Sequence, residues 1–272
     1  MRARVLLAAA FAALALPAAA AEGPSPAAQK WSFDGPFGTF DRAALQRGFQ
    51  VYKEVCSSCH AMSLMYYRDL GGPAAPGLRS NGNGGLWYNA DEVKALAAQV
   101  QVQAGPNDAG EMFERAGRPA DRFKSPFAND NAARAVNNGA LPPDLSLIVE
   151  ARKGGADYVF ALLIGYRDAP PVGLHNPDGS PFKLLEGMNY NEWFPGHQIA
   201  MRRPINDDQV AYADGTKATT DRMARDVVTF LAWTAEPNME ERKRLGLKVI
   251  LFLIALSGLL YAVKRKVWAA LH

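Results

Sequence analysis

Cysteine is the scarcest reactive residue of this chain: two among 272 positions, at 56 and 59. A framework of several disulfides is therefore excluded, and no spare thiol exists to staple a loop elsewhere. Histidine is nearly as rare, with four. A zinc site on the two cysteines would need two of His60, His175 and His197 to reach four ligands. No internal repeat and no Gly-rich phosphate loop is present. Nor is there a strong charge of one sign, since the net charge is only +3. With 49% hydrophobic and 21% charged residues, the composition is that of a globular protein and not of a disordered one.

Long apolar runs are missing except at the two ends. At the first, Arg2 and Arg4 precede an apolar stretch from Val5 to Leu16. Pro17 breaks it, and Ala19, Ala20 and Ala21 form a small-residue cleavage site, so residues 1–21 read as a cleaved secretory signal. At the other end, residues 245–263 read as a transmembrane span within an anchor over 240–266, followed by a short cytoplasmic tail at 267–272. At about 1.5 Å per residue such a helix covers roughly 28 Å, close to a bilayer's hydrocarbon core. Arg242, Lys243 and Arg244 precede the span, and Lys264, Arg265 and Lys266 follow it. The positive-inside rule is nearly tied, and the signal decides that residues 22–239 lie outside the cytoplasm. Taking from the net +3 the two leader arginines and the five net positive charges of 240–272 leaves the head at about −4. A mildly acidic head suits a cationic soluble partner and argues against nucleic acid. Asp91, Glu92, Asp207 and Asp208 are candidates for that contact, or simply a solvated face.

The two cysteines stand in CSSCH, residues 56–60. C-x-x-C-H is the attachment pattern of a c-type haem. Two thiols at that spacing can reach the two vinyl groups of one porphyrin, and the next residue, His60, points at the iron. A thioredoxin-like redox pair would want a βαβ context that the sequence does not offer. A plain structural disulfide is the other alternative. Before the motif, Asp41 caps a helix with Leu45, Phe49 and Tyr52 on one face; Thr220 to Ala235 forms another, with Met223, Val227, Phe230 and Leu231 aligned. Further helices are expected at 91–102, at 131–138 closed by Gly139, at 146–153 capped by Asp144, and after Asp157. Residues 71–85 and 168–215 are rich in Gly, Pro and Asn and read as loops, the second with a short hairpin.

The iron then needs a second axial ligand downstream, or an open site for chemistry. Met62 and Met65 are too near His60; Met112, Met188, Met201, Met223, His175 and His197 remain. Met223 lies on a core stripe. Met201 lies in an extended, Pro-bounded segment, with Met188 and His197 as alternatives.

The sequence also resembles the cytochrome c1 family, the haem subunits of the quinol–cytochrome c oxidoreductase (bc1) complex. The resemblance rests on WSFDGPFG (31–38), RGFQVYKEVCSSCH (47–60), YRDL (67–70), GPN (105–107) and GEMF (110–113). It continues in AARA (132–135), NNGALPPDLS (137–146), GGADYVFALL (154–163), FPG (194–196), IAM (199–201), AEP (235–237) and RKRLGLK (242–248). It implies a mainly α, class I-like cytochrome c haem domain with long loop insertions and one C-terminal transmembrane helix. It implies one covalently bound haem c, with Met201 as distal ligand and Arg152 facing a propionate. Ala140, Pro142, Pro143, Tyr158, Leu162, Leu163, Phe194 and Ile199 match the family's haem surroundings. The implied partners are cytochrome b and the Rieske iron–sulfur protein in a dimeric complex of a bacterial inner membrane. A soluble c-type cytochrome would accept the electrons, in a respiratory or photosynthetic chain. The chain alone would not oxidise quinol. A membrane-anchored cytochrome serving a terminal oxidase is the alternative, and a haem peroxidase or ligand sensor a third. Arg202 and Arg203 depart from the family's small residues or prolines beside the ligand. Some bacterial relatives staple a nearby loop with a second cysteine pair, which this chain lacks.

Overall fold

The computed structural model describes residues 25–72 and 85–269. The expected signal at 1–21 and most of the 71–85 loop lie outside them. Helix α1, Arg42–Glu54, begins at Asp41, whose carboxylate accepts from the Ala43 and Ala44 amides. Leu45, Phe49 and Tyr52 all point inward, as their spacing requires. Helix α2, Ala90–Ala98, is capped by Asn89. It stops short of the expected helix over 91–102, because Gln101–Ala104 is a strand, β1, paired antiparallel with β2, Phe113–Ala116. Val100 and Val102 suit an extended chain, and Gly105, Pro106 and Gly110 close the hairpin.

Helix α3, Asp130–Val136, is closed by Gly139, which has φ +80° and donates its amide to Arg134 O. The helix expected at 146–153 does not form; that segment is a series of turns. Asp144 does accept from the Ser146 amide, as a cap would. The chain is instead drawn toward the haem motif: Leu145 N donates to Ala61 O, and Leu64 N to Ser146 Oγ. Helix α4, Gly155–Ile164, follows, and β3, Asn189–Tyr190, pairs with β4, Gln198–Ile199. Helix α5, Thr220–Ala235, is capped by Thr219, and α6, Met239–Trp268, closes the chain.

The core lies where α1 crosses α5. Gly48 makes the crossing close: a Cβ there would lie 2.0 Å from Asp226 O. Phe49 and Tyr52 meet Phe230 at ring separations of 5.6 and 5.7 Å, and Phe123 covers both. Each such buried aromatic contributes about 1.5–3 kcal/mol of transfer free energy. Beside the crossing, Arg47 grips Asp226 through Nε at 2.7 Å and Nη2 at 3.1 Å, and reaches Asp214 at 2.9 Å. Helix α4 also packs on α5, with Arg225 4.5 Å from the Phe160 ring.

The 25–40 segment straps the head. Trp31 Nε1 donates to Asp157 at 2.7 Å, and Phe40 N to Glu240 at 2.8 Å. Lys243 Nζ donates to Phe33 O at 2.6 Å, so both contacts tie the base of α6 to the head. Beyond them α6 carries an exposed apolar stretch long enough to cross a membrane.

Candidate functional site

Helix α1 delivers the C-x-x-C-H motif. The chain tightens from α-helix to a 3-10 turn at Cys56–Ser58, and the Cys59 and His60 amides both donate to Cys56 O. Cys56 is half-buried and Cys59 exposed. Both are free. Burial, with Cys59 nearby, pushes the Cys56 thiol up to about 12. A redox-active pair is served by the opposite, a lowered thiol. Among the described residues no group of three His, Cys, Asp or Glu side chains could hold a metal ion, which leaves the zinc reading without ligands.

His60 is aimed by its second nitrogen. Nδ1 donates to Pro143 O at 2.8 Å, so Nε2 is the nitrogen left with a lone pair. Burial lowers the imidazole pKa, opposed by the Pro143 hydrogen bond and the Asp144 charge. Asp144 holds this corner: it accepts from the Ser63 and Ser146 amides, each at 2.8 Å. Burial alone would raise its pKa, but hydrogen bonds from Ser146 and Ser63 outweigh this and hold it below the usual range. Ala140 and Pro142 are half-buried beside Pro143, which is exposed.

A second hydrogen-bonded unit holds the Met201 segment. Asn191 is fully buried; its Nδ2 donates to Leu162 O, and its Oδ1 accepts from the Trp193 and Phe194 amides. Tyr166 Oη donates to Met201 O at 3.1 Å. Leu162, Phe194 and Met201 are half-buried, and Leu163 and Ile199 buried. The other candidate ligands lie in different surroundings. Met223 is buried inside the core, and Met112 is exposed beside β2. His197 stacks on Tyr190 at 5.7 Å, and His175 Nδ1 contacts Gly173 O. Met188 is half-buried in a turn closed by its amide on Leu185 O.

Arg152 stands apart, exposed and bonded to Ala151 O, at the edge of a cavity of about 430 Å³ that Trp31, Asp34, Glu150 and Asp157 also line. Tyr158 is half-buried; burial raises its phenol pKa and the Arg152 charge partly offsets this. Arg203 is neutralised by Asp168 at 3.3 Å, while Arg202 is exposed. Of the four acidic candidates for partner contact, three have local partners: Asp91 pairs with Lys94 at 3.6 Å, Glu92 accepts from Asn89 N, and Asp207 from Thr220 N and Oγ1.

Sequence reasoning did not single out Tyr166 or Asn191. Their neighbour Gly165 carried the available signal: a Cβ there would lie 2.4 Å from Trp193 Cδ1, a close approach only glycine allows. The donor set fits a c-type haem. Two free thiols lie three residues apart, and an imidazole keeps one free nitrogen.

Comparison with known proteins agrees with this donor set. The model of the cytochrome C1 family matches residues 31–271. A "Cytochrome b/c1" of Bradyrhizobium diazoefficiens is 49% identical over 265 residues, 91% of this chain; the chain spans 36% of that relative's length. Cytochrome c1 of Rhodospirillum rubrum is 47% identical over 88% of this chain and 86% of its own. The "Cytochrome b-c1 complex catalytic subunit, mitochondrial" of Candida albicans is 46% identical over 92% of this chain and 80% of its own. The chain thus belongs to the cytochrome c1 family, electron-transfer subunits of the bc1 complex that carry one covalently bound haem c.

Proposed function

We propose that Cys56 and Cys59 bind the haem as thioethers and that His60 and Met201 take its two axial positions. The haem, when bound, supplies a one-electron couple. The protein's part is to hold it. The observation that carries the reading is the Nδ1 hydrogen bond from His60 to Pro143 O at 2.8 Å, which orients the ring and leaves Nε2 for iron. A thioether opposite His favours the reduced state and raises the potential relative to a second imidazole. With both positions held, the site suits electron relay and not oxygen or peroxide chemistry. Ala140, Pro142, Pro143, Tyr158, Leu162, Leu163, Phe194 and Ile199 line the haem and exclude water, and Arg152 neutralises a propionate.

The head, residues 22–239, stands on the periplasmic side of a bacterial inner membrane after loss of residues 1–21. It is held by the span at 245–263. Electrons arrive from the Rieske iron–sulfur protein and leave to a soluble c-type cytochrome, within a dimeric complex with cytochrome b. Met201→Leu tests the ligand. The expected result is loss of the sulfur–iron absorption band with a large fall in potential. An unchanged spectrum would show that the ligand is another residue. Gentle detergent purification tests the partners: recovery free of cytochrome b and Rieske protein overturns them.

A further inference from the structure

The Met201 segment has no covalent staple, because the only two cysteines are at 56 and 59. Its position is nevertheless fixed at one atom. The Tyr166 hydroxyl donates to Met201 O at 3.1 Å, from a side chain 4% exposed overall.

Tyr166 is itself immobilised from several directions. It forms an isolated antiparallel bridge with Asn191. Glu192 N donates to Gly165 O at 2.9 Å, and Arg203 Nη2 to Tyr166 O at 3.1 Å. Asn191 ties the same strand to the last turn of α4 through Leu162 O at 2.8 Å. The phenol is thus a post seated where two chain segments cross, and its tip holds the peptide of Met201. Asn189 Nδ2 supports the preceding carbonyls, at 3.4 Å from Ile199 O and 3.5 Å from Ala200 O.

We propose that Tyr166 is a positioning residue for Met201: by fixing the Met201 carbonyl, its hydroxyl sets the thioether where the haem iron can bind it. The inference rests on Met201 being the axial ligand. A thioether is a weak, neutral donor, so the conformational freedom of its loop competes directly with ligation. Removing one neutral buried hydrogen bond shifts such an equilibrium by about two- to tenfold.

The test uses the full-length, haem-loaded protein in detergent. Imidazole is titrated into the oxidised form while the sulfur–iron band is followed, and the potential is measured in parallel. Tyr166→Phe is expected to raise the apparent imidazole affinity about two- to tenfold and to lower the potential. Thr234→Val is the control: it also removes a buried hydroxyl, bonded to Leu231 O at 2.9 Å, and should change neither. An unchanged affinity in Tyr166→Phe, or an equal rise in both variants, overturns the positioning role. Persistence of the band in Met201→Leu would instead overturn the ligand assignment beneath it.

Discussion

Replacing Gly48 by alanine should loosen the helix crossing that supports the haem motif. A Cβ at 48 would lie 2.0 Å from Asp226 O, 2.6 Å from Asp226 C and 2.8 Å from Phe230 Cβ. The first two are backbone atoms of α5, so no side chain can rotate aside; the helices must part. Two effects compete. Alanine favours a helix interior over glycine by about 1 kcal/mol. Overpacking costs about 1–3 kcal/mol, and a clash with backbone belongs at the upper end. The net is a loss of about 2 kcal/mol. At roughly 2–4 °C per kcal/mol for a domain of this size, Tm falls by about 4–8 °C. The assay is thermal unfolding of the haem-loaded protein. Gly246→Ala is the control, since nothing lies within 4 Å of that position on α6 and no loss is expected. A Gly48→Ala protein as stable as the parent, or more so, refutes the close crossing, because propensity would then outweigh sterics.

Removing Arg47 leaves Asp226, whose side chain is 2% exposed, without the guanidinium it grips. Arg47→Met should cost about 3–5 kcal/mol near neutral pH, measured by denaturant unfolding. The unpaired carboxylate can take up a proton, so the deficit should narrow as pH falls; a deficit independent of pH would contradict this. Asp144→Asn should cost about 1 kcal/mol. Because the folded-state pKa of Asp144 is lowered, its contribution is present above the ordinary aspartate value of about 3.9 and is lost as pH falls below it. The parent and Asp144→Asn stability curves should therefore converge on acidification through that range, and parallel curves would refute the assignment.

The parts of this molecule that were legible in sequence are those in which chemistry or packing imposes a period. Leu45, Phe49 and Tyr52 recur at helical spacing because one face of α1 is buried, and the structure places all three in the core. The 56–60 motif is legible because two covalent attachments and a ligand need one spacing. The β1–β2 hairpin has no such imprint. Its β2 strand, Phe113–Ala116, is almost wholly exposed, so no alternation of apolar and polar residues was required there. The apolar positions at 93, 96, 97 and 100 continue a helical period past the real end of α2 at Ala98. The turns after Asp144 mislead differently: the cap geometry forms at Ser146, but contacts with Ala61 and Leu64 outcompete the helix.

The Met201 segment shows why a site can be half readable. Which residues could be ligands is a matter of side-chain type, and the Pro-bounded stretch favoured Met201 without excluding Met188 or His197. What orders that stretch is a set of long-range bonds, from Tyr166 to Met201 and from Asn191 to Leu162. Tyrosine and asparagine are common in loops, and neither recurs here with a period. Their roles depend on partners 35 and 29 residues away in the chain. The haem end of α1 is built from neighbours in sequence, so its geometry is local and legible. The opposite end is built by a loop folding back on α4, so its geometry appears only once that tertiary contact exists. Substitutions at Tyr166 should therefore act on the Met201 segment while leaving the local geometry of the 56–60 motif unchanged.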